Sequence, residues 1–554
     1  MTEPMWIAGL NHGSHDASCA LLRDGELVIA VEQERLSRRK HAVDESPADA
    51  LRFCLDFAGV RLSEVDVVAL GSDHAELARW LGLSATDRQR HLPFDQPERL
   101  FPDRIFDGER PRRIQPVAHH RAHAASAFWL SGFDECAVLV MDAMGESTAT
   151  SIAAGRGSRL EIVESYGIET SLGFYYEAAS EFVGLGRHDG GKLMGLAAYG
   201  RPVHDAALAY RNGTIVWEGV PAATGTGRDL IAQRSAGLQH RLSRSCFPYA
   251  PREHESIMAY ADLAASVQHA LEETVLGLAR RARDVTGLRR LAMAGGVALN
   301  CTANGRLANS GIFDEVYVQP MAHDAGVALG AALLVAAEDA WSGPPARMSH
   351  AYWGPDLNLA EVGTAIAASG LSAEELTYSS LLARVASIIE DGGLVAWAQG
   401  RSEVGPRALG ARSLLGDPRN RGTLTRLNMA KSREMWRPVA PSVPVEHFDR
   451  YFVGIPNPFM IVASQVRPEM RTIIPAVVHV DGSARPQAVS RSDNRPYHDL
   501  LTEFGRRTGV PVLVNTSLNV AKEPIADSAW DVIHTFRRSG ADAVVLGRYI
   551  ALRS

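Results

Sequence analysis

Hydrophobic and polar positions at the start of the chain fall into short alternating blocks. WIAGLNHGSHDASCALLRDGELVIAVEQERLSR separates three β-rich apolar runs with Gly, Asn and Asp, which predicts strand, polar turn, strand, Asp-Gly turn, strand. PADALRFCLDFAGV carries its apolar residues at helical spacing and ends in glycine, and VDVVALGS follows as a buried strand. ECAVLVMDAMGESTATSIAAGRGSRLEIVESY repeats the opening grammar, with Asp142 expected at the end of its first strand. An internal duplication is expected. ADLAASVQHALEETVLGLARRARDVTG predicts a long amphipathic helix, LRRLAMAGGVALN a strand ending in a Gly-Gly turn, and CTANGRLANSG a further helix. Residues 200 to 250 read as loops and short helices.

WSGPPARMSHAYWGPDLN is rich in Pro and Gly and has no clear period, so the chain is cut near residue 350 into domains 1–350 and 351–554. Beyond the cut, YSSLLARVASIIEDGGLVAWAQGR predicts helix, turn and strand, and GVPVLVNTSLN a strand entering a polar turn. The expected class is α/β. Two β-meander units, each followed by helices, suggest an actin-like (ASKHA) or sugar-kinase-like ATPase domain, which holds phosphates at its hairpin turns. An α/β or α+β domain follows it.

At 554 residues the chain exceeds one ordinary core, and 46% hydrophobic with 22% charged residues is a globular mixture. Five scattered cysteines without a CxxC pair argue against a zinc ribbon or disulfide framework and point to a reducing cytoplasm. The N-terminus does not read as a signal peptide, and no apolar run reaches spanning length, so no membrane is expected. A charge of −7, from 57 basic and 64 acidic residues, offers no broad footprint for nucleic acid. Small-molecule chemistry is expected; the oligomeric state, including a homo-oligomer, is left open.

Three constellations carry the candidate chemistry. In HHRAHAASAFWLSGF, His119 and His123 lie four apart and project from one helical face, and Asp142 and Asp324 are candidates to complete a metal site of nitrogen and oxygen donors. The glycine-rich segments Gly9 to Ser18, Asp142 to Ser147 and Gly295, Gly296 to Asn300 offer backbone donors to a nucleotide phosphate. In the second domain, GRSEVGPRALGARSLLGDPR and KSREMWRPVAPSV bring Arg401, Arg407, Arg412, Arg419, Lys431, Arg433 and Arg437 into an oxyanion pocket, with Asn515, Ser517 and Asn519 of NTSLN as short polar donors. The chain has only four lysines, which draws attention to Lys431. Lys40, in RLSRRKH, reads on charge alone as part of a solvated basic run, and is placed with the anion-binding candidates together with Arg485 of DGSARPQAV. His15, in a phosphate-type turn, is a candidate general base.

HHRAHAASAF, GKLMGLAAYGRP, GGVALNCTANGRL, GRSEVGPRALGARSLLGDPR, RPVAPSV, DGSARPQAV and NTSLN together resemble the NodU-type O-carbamoyltransferases, across essentially the whole chain. The resemblance implies an actin-like first domain and a YrdC-like second domain whose K-x-R and S-x-N pairs correspond to Lys431 with Arg433 and Ser517 with Asn519. It further implies that carbamoyl phosphate and ATP, with Mg2+, yield carbamoyl adenylate and pyrophosphate. A metal on His119, His123, Asp142 and Asp324, in that family ferrous iron, would orient the adenylate phosphate, with His15 as base toward a small-molecule hydroxyl. Acceptors in the family include antibiotics, sugars and nodulation lipid-saccharides. Ala143 and Ser147 depart from the family's Asp-Gly and Gly-Glu-Trp-like pattern. An actin-like sugar or metabolite kinase, a tRNA-directed threonylcarbamoyl transferase and a non-catalytic nucleotide-binding regulator remain the alternatives.

Overall fold

The computed structural model describes all residues except 1–3, 14, 85, 89–95, 225–226, 246–255, 340–342, 344 and 554. Ser14 of the first polar turn, Cys246 and part of the expected boundary segment lie outside the described residues. The other four cysteines are free and buried. The chain divides into two compact units, Met1–Gln33 with Ala42–Met348, and Glu34–His41 with Ser349–Ser554. A single cut near 350 therefore misassigns the segment Glu34–His41, which is part of the second unit. Its anchors are polar: Arg35 donates to the Gly405 carbonyl at 2.8 Å, and Arg38 to those of Ile525 and Pro524 at 2.7 and 3.0 Å. Such contacts leave no hydrophobic period in the sequence.

In the first unit, β1 (Trp6–Asn11), β2 (Ser18–Arg23) and β3 (Glu26–Glu32) form an antiparallel meander. β4 (Val67–Leu70) and β5 (Ile114–Pro116) extend it in parallel, giving the order β3-β2-β1-β4-β5. The expected repeat then follows: β6 (Glu135–Gly145), β7 (Thr148–Arg156) and β8 (Arg159–Gly167) form a second meander. β9 (Leu208–Arg211) and β10 (Thr214–Trp217) make a separate hairpin, and β11 (Arg290–Ala294) and β12 (Glu315–Val318) complete a sheet ordered β12-β11-β6-β7-β8. The two sheets share one topology, the duplicated arrangement of an actin-like fold. Residues 200 to 250 differ from expectation, holding this hairpin and a helix over Gly227–Ser245. Strand β6 also runs past Asp142, with its pairing broken between Met141 and Gly145, so Asp142 occupies a bulge that re-aims its side chain.

Two helices join the layers. His119–Trp129 packs on β6 and β11, Ala325–Glu338 on β1 and β2, and the two helices pack on each other. Ten of the eleven residues of His119–Trp129 are buried, so this is no surface helix. At Gly330 an added Cβ would stand 1.8 Å from the Ala122 carbonyl oxygen, so the two backbones approach closely.

The second unit carries a mixed eight-stranded sheet. Its strands are β13 (Ala373–Glu375), β14 (Val395–Ala398), β15 (Arg412–Gly416) and β16 (Ala440–Pro444), then, beyond a small sheet of β17 (Phe452–Val453), β18 (Ser464–Val466) and β19 (Ser483–Ala484), β20 (Gln487–Val489), β21 (Leu513–Ser517), β22 (Ala543–Leu546) and β23 (Tyr549–Leu552). Their order is β13-β23-β22-β14-β15-β21-β16-β20. Val395 and Trp397 of β14 enter one core, while Ala396 and Ala398 enter the other. Both faces of the sheet are covered, which explains why the strands read as unbroken apolar runs.

Candidate functional site

The packing of the two buried helices brings four predicted residues together. His119 and His123 lie one helical turn apart, Asp324 is at the head of Ala325–Glu338, and Asp142 projects from the β6 bulge. His119 Nε2 stands 3.2 Å from Asp142 Oδ2 and 3.7 Å from Asp324 Oδ1; His123 Nε2 stands 3.5 and 3.7 Å from the same atoms. Three of these four spacings are long for hydrogen bonds. Ligand atoms about 2.1 Å from a shared ion and about 90 to 110° apart are separated by roughly 3.0 to 3.4 Å, close to what is seen. Two imidazoles and two carboxylates thus fit a divalent first-row ion, whose charge they balance. Burial disfavours protonated His119, but Asp324 and Asp142 outweigh it and raise its pKa well above the ordinary value. Metal binding must displace that proton.

Neighbours hold the cluster in register. Ser72 Oγ lies 3.3 Å from His119 Nδ1, leaving Nε2 to face the carboxylates. Ala118 supplies no side-chain cap to the helix His119–Trp129; Glu146, from the β6–β7 turn, accepts the His119 backbone N–H at 3.1 Å and that of Asp73 at 2.9 Å. The sequence reading assigned no role to Glu146, although it lies in the Gly-Glu-Trp-like run, and it missed Ser72, which lies in no recognisable motif. The departures from the family pattern are accommodated: the Ala143 carbonyl accepts from Ser171 Oγ at 2.7 Å, and Ser147 Oγ donates to Glu76 at 3.4 Å.

His15 belongs to the same centre. Its Nδ1 lies 3.0 Å from Asp16 and 3.8 Å from Asp324, and Asn11 pins the turn by donating to the His15 and Asp16 carbonyls at 3.1 and 2.8 Å. Burial disfavours its protonated form, yet the bond to Asp16 and the charges of Asp324 and Asp142 bring its pKa up to about 10. The Gly-Gly turn reaches this centre too. Gly295, at φ 88, passes so close to Met141 that a Cβ would meet its carbonyl oxygen at 2.2 Å, and Gly296 N–H donates to Asp142 Oδ1 at 3.1 Å. Asn300 has its side chain engaged in the fold, capping Cys301–Ala308 through Ala303 N–H and pairing with Gln268.

In the second unit, Lys431 closes the helix Gly422–Ala430 and points its ammonium at the end of β21. Its Nζ donates to Asn519 Oδ1 at 2.6 Å, the Asn519 carbonyl at 2.8 Å, Ser517 Oγ at 3.2 Å and the Ser517 carbonyl. The K-x-R and S-x-N pairs are thereby in contact. Burial pushes the Lys431 pKa well down, helped by Arg433, Arg437 and Lys40. Arg433 is pushed down to about 9 by burial, Arg437 and Arg485, with only Glu434 opposing. A buried ammonium and a buried guanidinium held among further cations form a site for an anion.

Two further predicted members, on the paired strands β15 and β21 that carry Ser517, are bonded into the fold. Arg412 is 0% exposed and donates to the carbonyls of Asp527, Gln399, Gly400 and Ala411 at 2.8 to 3.1 Å. Asn515 is buried and donates to Ala408, Ser442 and Gln487 at 3.1 to 3.3 Å. Both tie the sheet and loops together, and Arg412 Nη2 and Asn515 Oδ1 are buried without a hydrogen-bond partner among the described residues. Arg407 is half-buried in the loop before β15.

Residues 6–91 and 108–333 match the family model Carbamoyltransferase N-terminus, and residues 386–553 match Carbamoyltransferase C-terminus. The chain is 38% identical over 550 residues to Nodulation protein NolNO of Sinorhizobium fredii, covering 97% of this chain and 78% of that protein. It is 31% identical to the 3'-hydroxymethylcephem-O-carbamoyltransferase of Amycolatopsis lactamdurans, covering 96% of each. Among solved structures, full-length HypF in the phosphate- and nucleotide-bound form matches 60% of this chain and 55% of that one, at 14% identity and a TM-score of 0.35. With both family models matched over most of its length, the chain belongs to the carbamoyltransferase family and is a transferase enzyme.

Proposed function

We propose that the second unit activates a carbamoyl group with ATP and that the first transfers it to a hydroxyl of a small-molecule acceptor. Atom balance requires two products of activation. Water cleaves carbamoyl phosphate to carbamate and orthophosphate; a carbamate oxygen then attacks the α-phosphorus of Mg2+-bound ATP, and pyrophosphate leaves, giving carbamoyl adenylate. Lys431, Arg433, Arg437 and Arg485, joined by Lys40 and Arg407, stabilise the charge that develops on the phosphate oxygens. Transfer follows in the first unit. The acceptor oxygen attacks the carbamoyl carbon, the bond to the phosphate oxygen breaks, AMP leaves and the hydroxyl proton passes to His15 Nε2. Asp16 holds Nδ1 and so presents that nitrogen.

His119, His123, Asp142 and Asp324 would hold a divalent ion, ferrous iron in our reading, supplying a Lewis-acid anchor for the adenylate phosphate. Burial opposes protonation of His15, while its bond to Asp16 and then the charges of Asp324 and Asp142 favour it; balancing the last two charges lowers the His15 pKa toward that of a base. Gly295 and Gly296 offer the backbone approach to the nucleotide.

The observation that supports this reading best is the convergence of Lys431 on Ser517 and Asn519 within a group of cations. A kinase on the first-unit fold would leave that group without a role. The test is pyrophosphate release from ATP, with metal and reductant present. It should depend on carbamoyl phosphate and fall by about 100-fold in Arg433→Ala, whereas His15→Asn should keep release and lose transfer. Release that ignores carbamoyl phosphate, or an unimpaired Arg433→Ala, would overturn the proposal.

A further inference from the structure

We propose that Glu177, Arg187 and His188 form the acceptor subsite beside His15, and that they select a neutral acceptor carrying two neighbouring hydroxyls, as on a sugar ring. The inference rests on the transfer reading above. The helix Leu172–Phe182 begins at Ser171, whose hydroxyl is bonded to the Ala143 carbonyl next to Asp142. Glu177 is therefore carried on an element fastened to the metal cluster. Its Oε2 accepts from Arg187 Nε at 2.8 Å, and its Oε1 lies 3.9 Å from His188 Nδ1. The His188 ring centroid stands 6.0 Å from that of His15.

These side chains are exposed but held. Arg187 is 45% and His188 58% exposed, while Glu177 is 21% exposed. Their loop is tied by Gly186 N–H to Asp189 at 3.2 Å and by Ser180 Oγ to the Gly186 carbonyl at 2.9 Å, and the Arg187 guanidinium covers the Phe174 ring at 5.4 Å. A mere surface ion pair does not require such fastening.

A carboxylate beside a guanidinium presents an acceptor and a donor together. One hydroxyl of a vicinal diol donates to Glu177, its neighbour accepts from Arg187, and a third hydroxyl on the same molecule can reach His15. Because Arg187 already neutralises Glu177, an amine gains little here unless it displaces the guanidinium. A simple alcohol uses only half of the subsite.

The test uses the full chain with ATP, Mg2+, carbamoyl phosphate, Fe2+ and a reductant, and three probes: methyl α-glucopyranoside, glucosamine and n-butanol. Carbamate ester formation is measured for the wild type, Glu177→Gln and Arg187→Met, alongside pyrophosphate release and saturation-transfer NMR of each probe. Wild type should favour the glucoside over butanol by about tenfold or more in kcat/KM. Arg187→Met should raise the glucoside KM by about 10- to 100-fold while kcat changes little, and should narrow the gap to glucosamine. Equal use of glucoside and butanol, or unchanged KM in both variants, would overturn the subsite. If wild type releases no pyrophosphate, the transfer reading fails, and the NMR still decides the subsite: glucoside binding that neither variant weakens, or no glucoside binding, sinks it.

Discussion

Arg412 and Arg433 look alike in the sequence, each in an arginine-rich run bent by Gly or Pro, yet their surroundings give them opposite work. Arg412 spends Nε and Nη1 on backbone carbonyls, whereas Arg433 shares its space with other cations. Lys431 shows what that crowding means for binding. Burial and three neighbouring cations depress its pKa in the ligand-free protein, and a bound polyanion favours the ammonium and raises it again. A complex that holds the proton more tightly takes one up on binding in the window between the two pKa values. Pyrophosphate should therefore bind most tightly below the ligand-free pKa and weaken by up to about tenfold per pH unit as pH rises toward the bound-state pKa. Calorimetry in buffers of different ionisation enthalpy should detect the uptake, and Lys431→Met should abolish it. At this scale helical spacing and motif resemblance picked out the four candidate metal ligands, His15, and the Lys431, Arg433, Ser517 and Asn519 group, whose members the fold brings together. The sequence could not show that Arg412 and Asn515 also bond the backbone and side chains around them, since burial is not a local property.

The elements that place the metal residues depend on close helix contact. Asp324 heads Ala325–Glu338, and that helix crosses His119–Trp129 where Gly330 meets the Ala122 carbonyl. Gly330→Ala should force the helices apart, costing about 1 to 3 kcal/mol of stability or more. It should also weaken metal binding by roughly tenfold or more, because the ligands on the two helices lose register. Thermal melts and chelator competition measure the two effects, and unchanged metal affinity would show that the cluster does not rely on this contact. Strand and helix periods made the two meanders, Ala48–Ala58, Ala261–Thr286 and Tyr378–Glu390 readable. The β6 bulge was not, since a break in pairing depends on the partner strand. The helix Gly227–Ser245 was missed because polar residues dominate it.

At the scale of the whole molecule, the second unit is built from two stretches far apart in sequence. Glu34–His41 contributes Arg35, Arg38 and Lys40, and Arg38 is bonded to Ile525 and Pro524 and lies 3.2 Å from Asp531. Arg38→Ala should loosen the segment carrying Lys40 and raise the KM for carbamoyl phosphate by about three- to tenfold. Metal affinity in the first unit should stay at the wild-type value; pyrophosphate-release kinetics with a parallel metal titration test both statements. By itself the sequence determined the α/β class, the repeated meander, the His119–His123 face and the family's paired motifs, because each depends on spacing within a few residues or on a run of local identities. Only the tertiary structure decided that Glu34–His41 joins the second unit, that Arg412 bonds backbone carbonyls, and that His188 lies beside His15. Those outcomes depend on burial and on contacts between distant segments, which arise only when the elements pack.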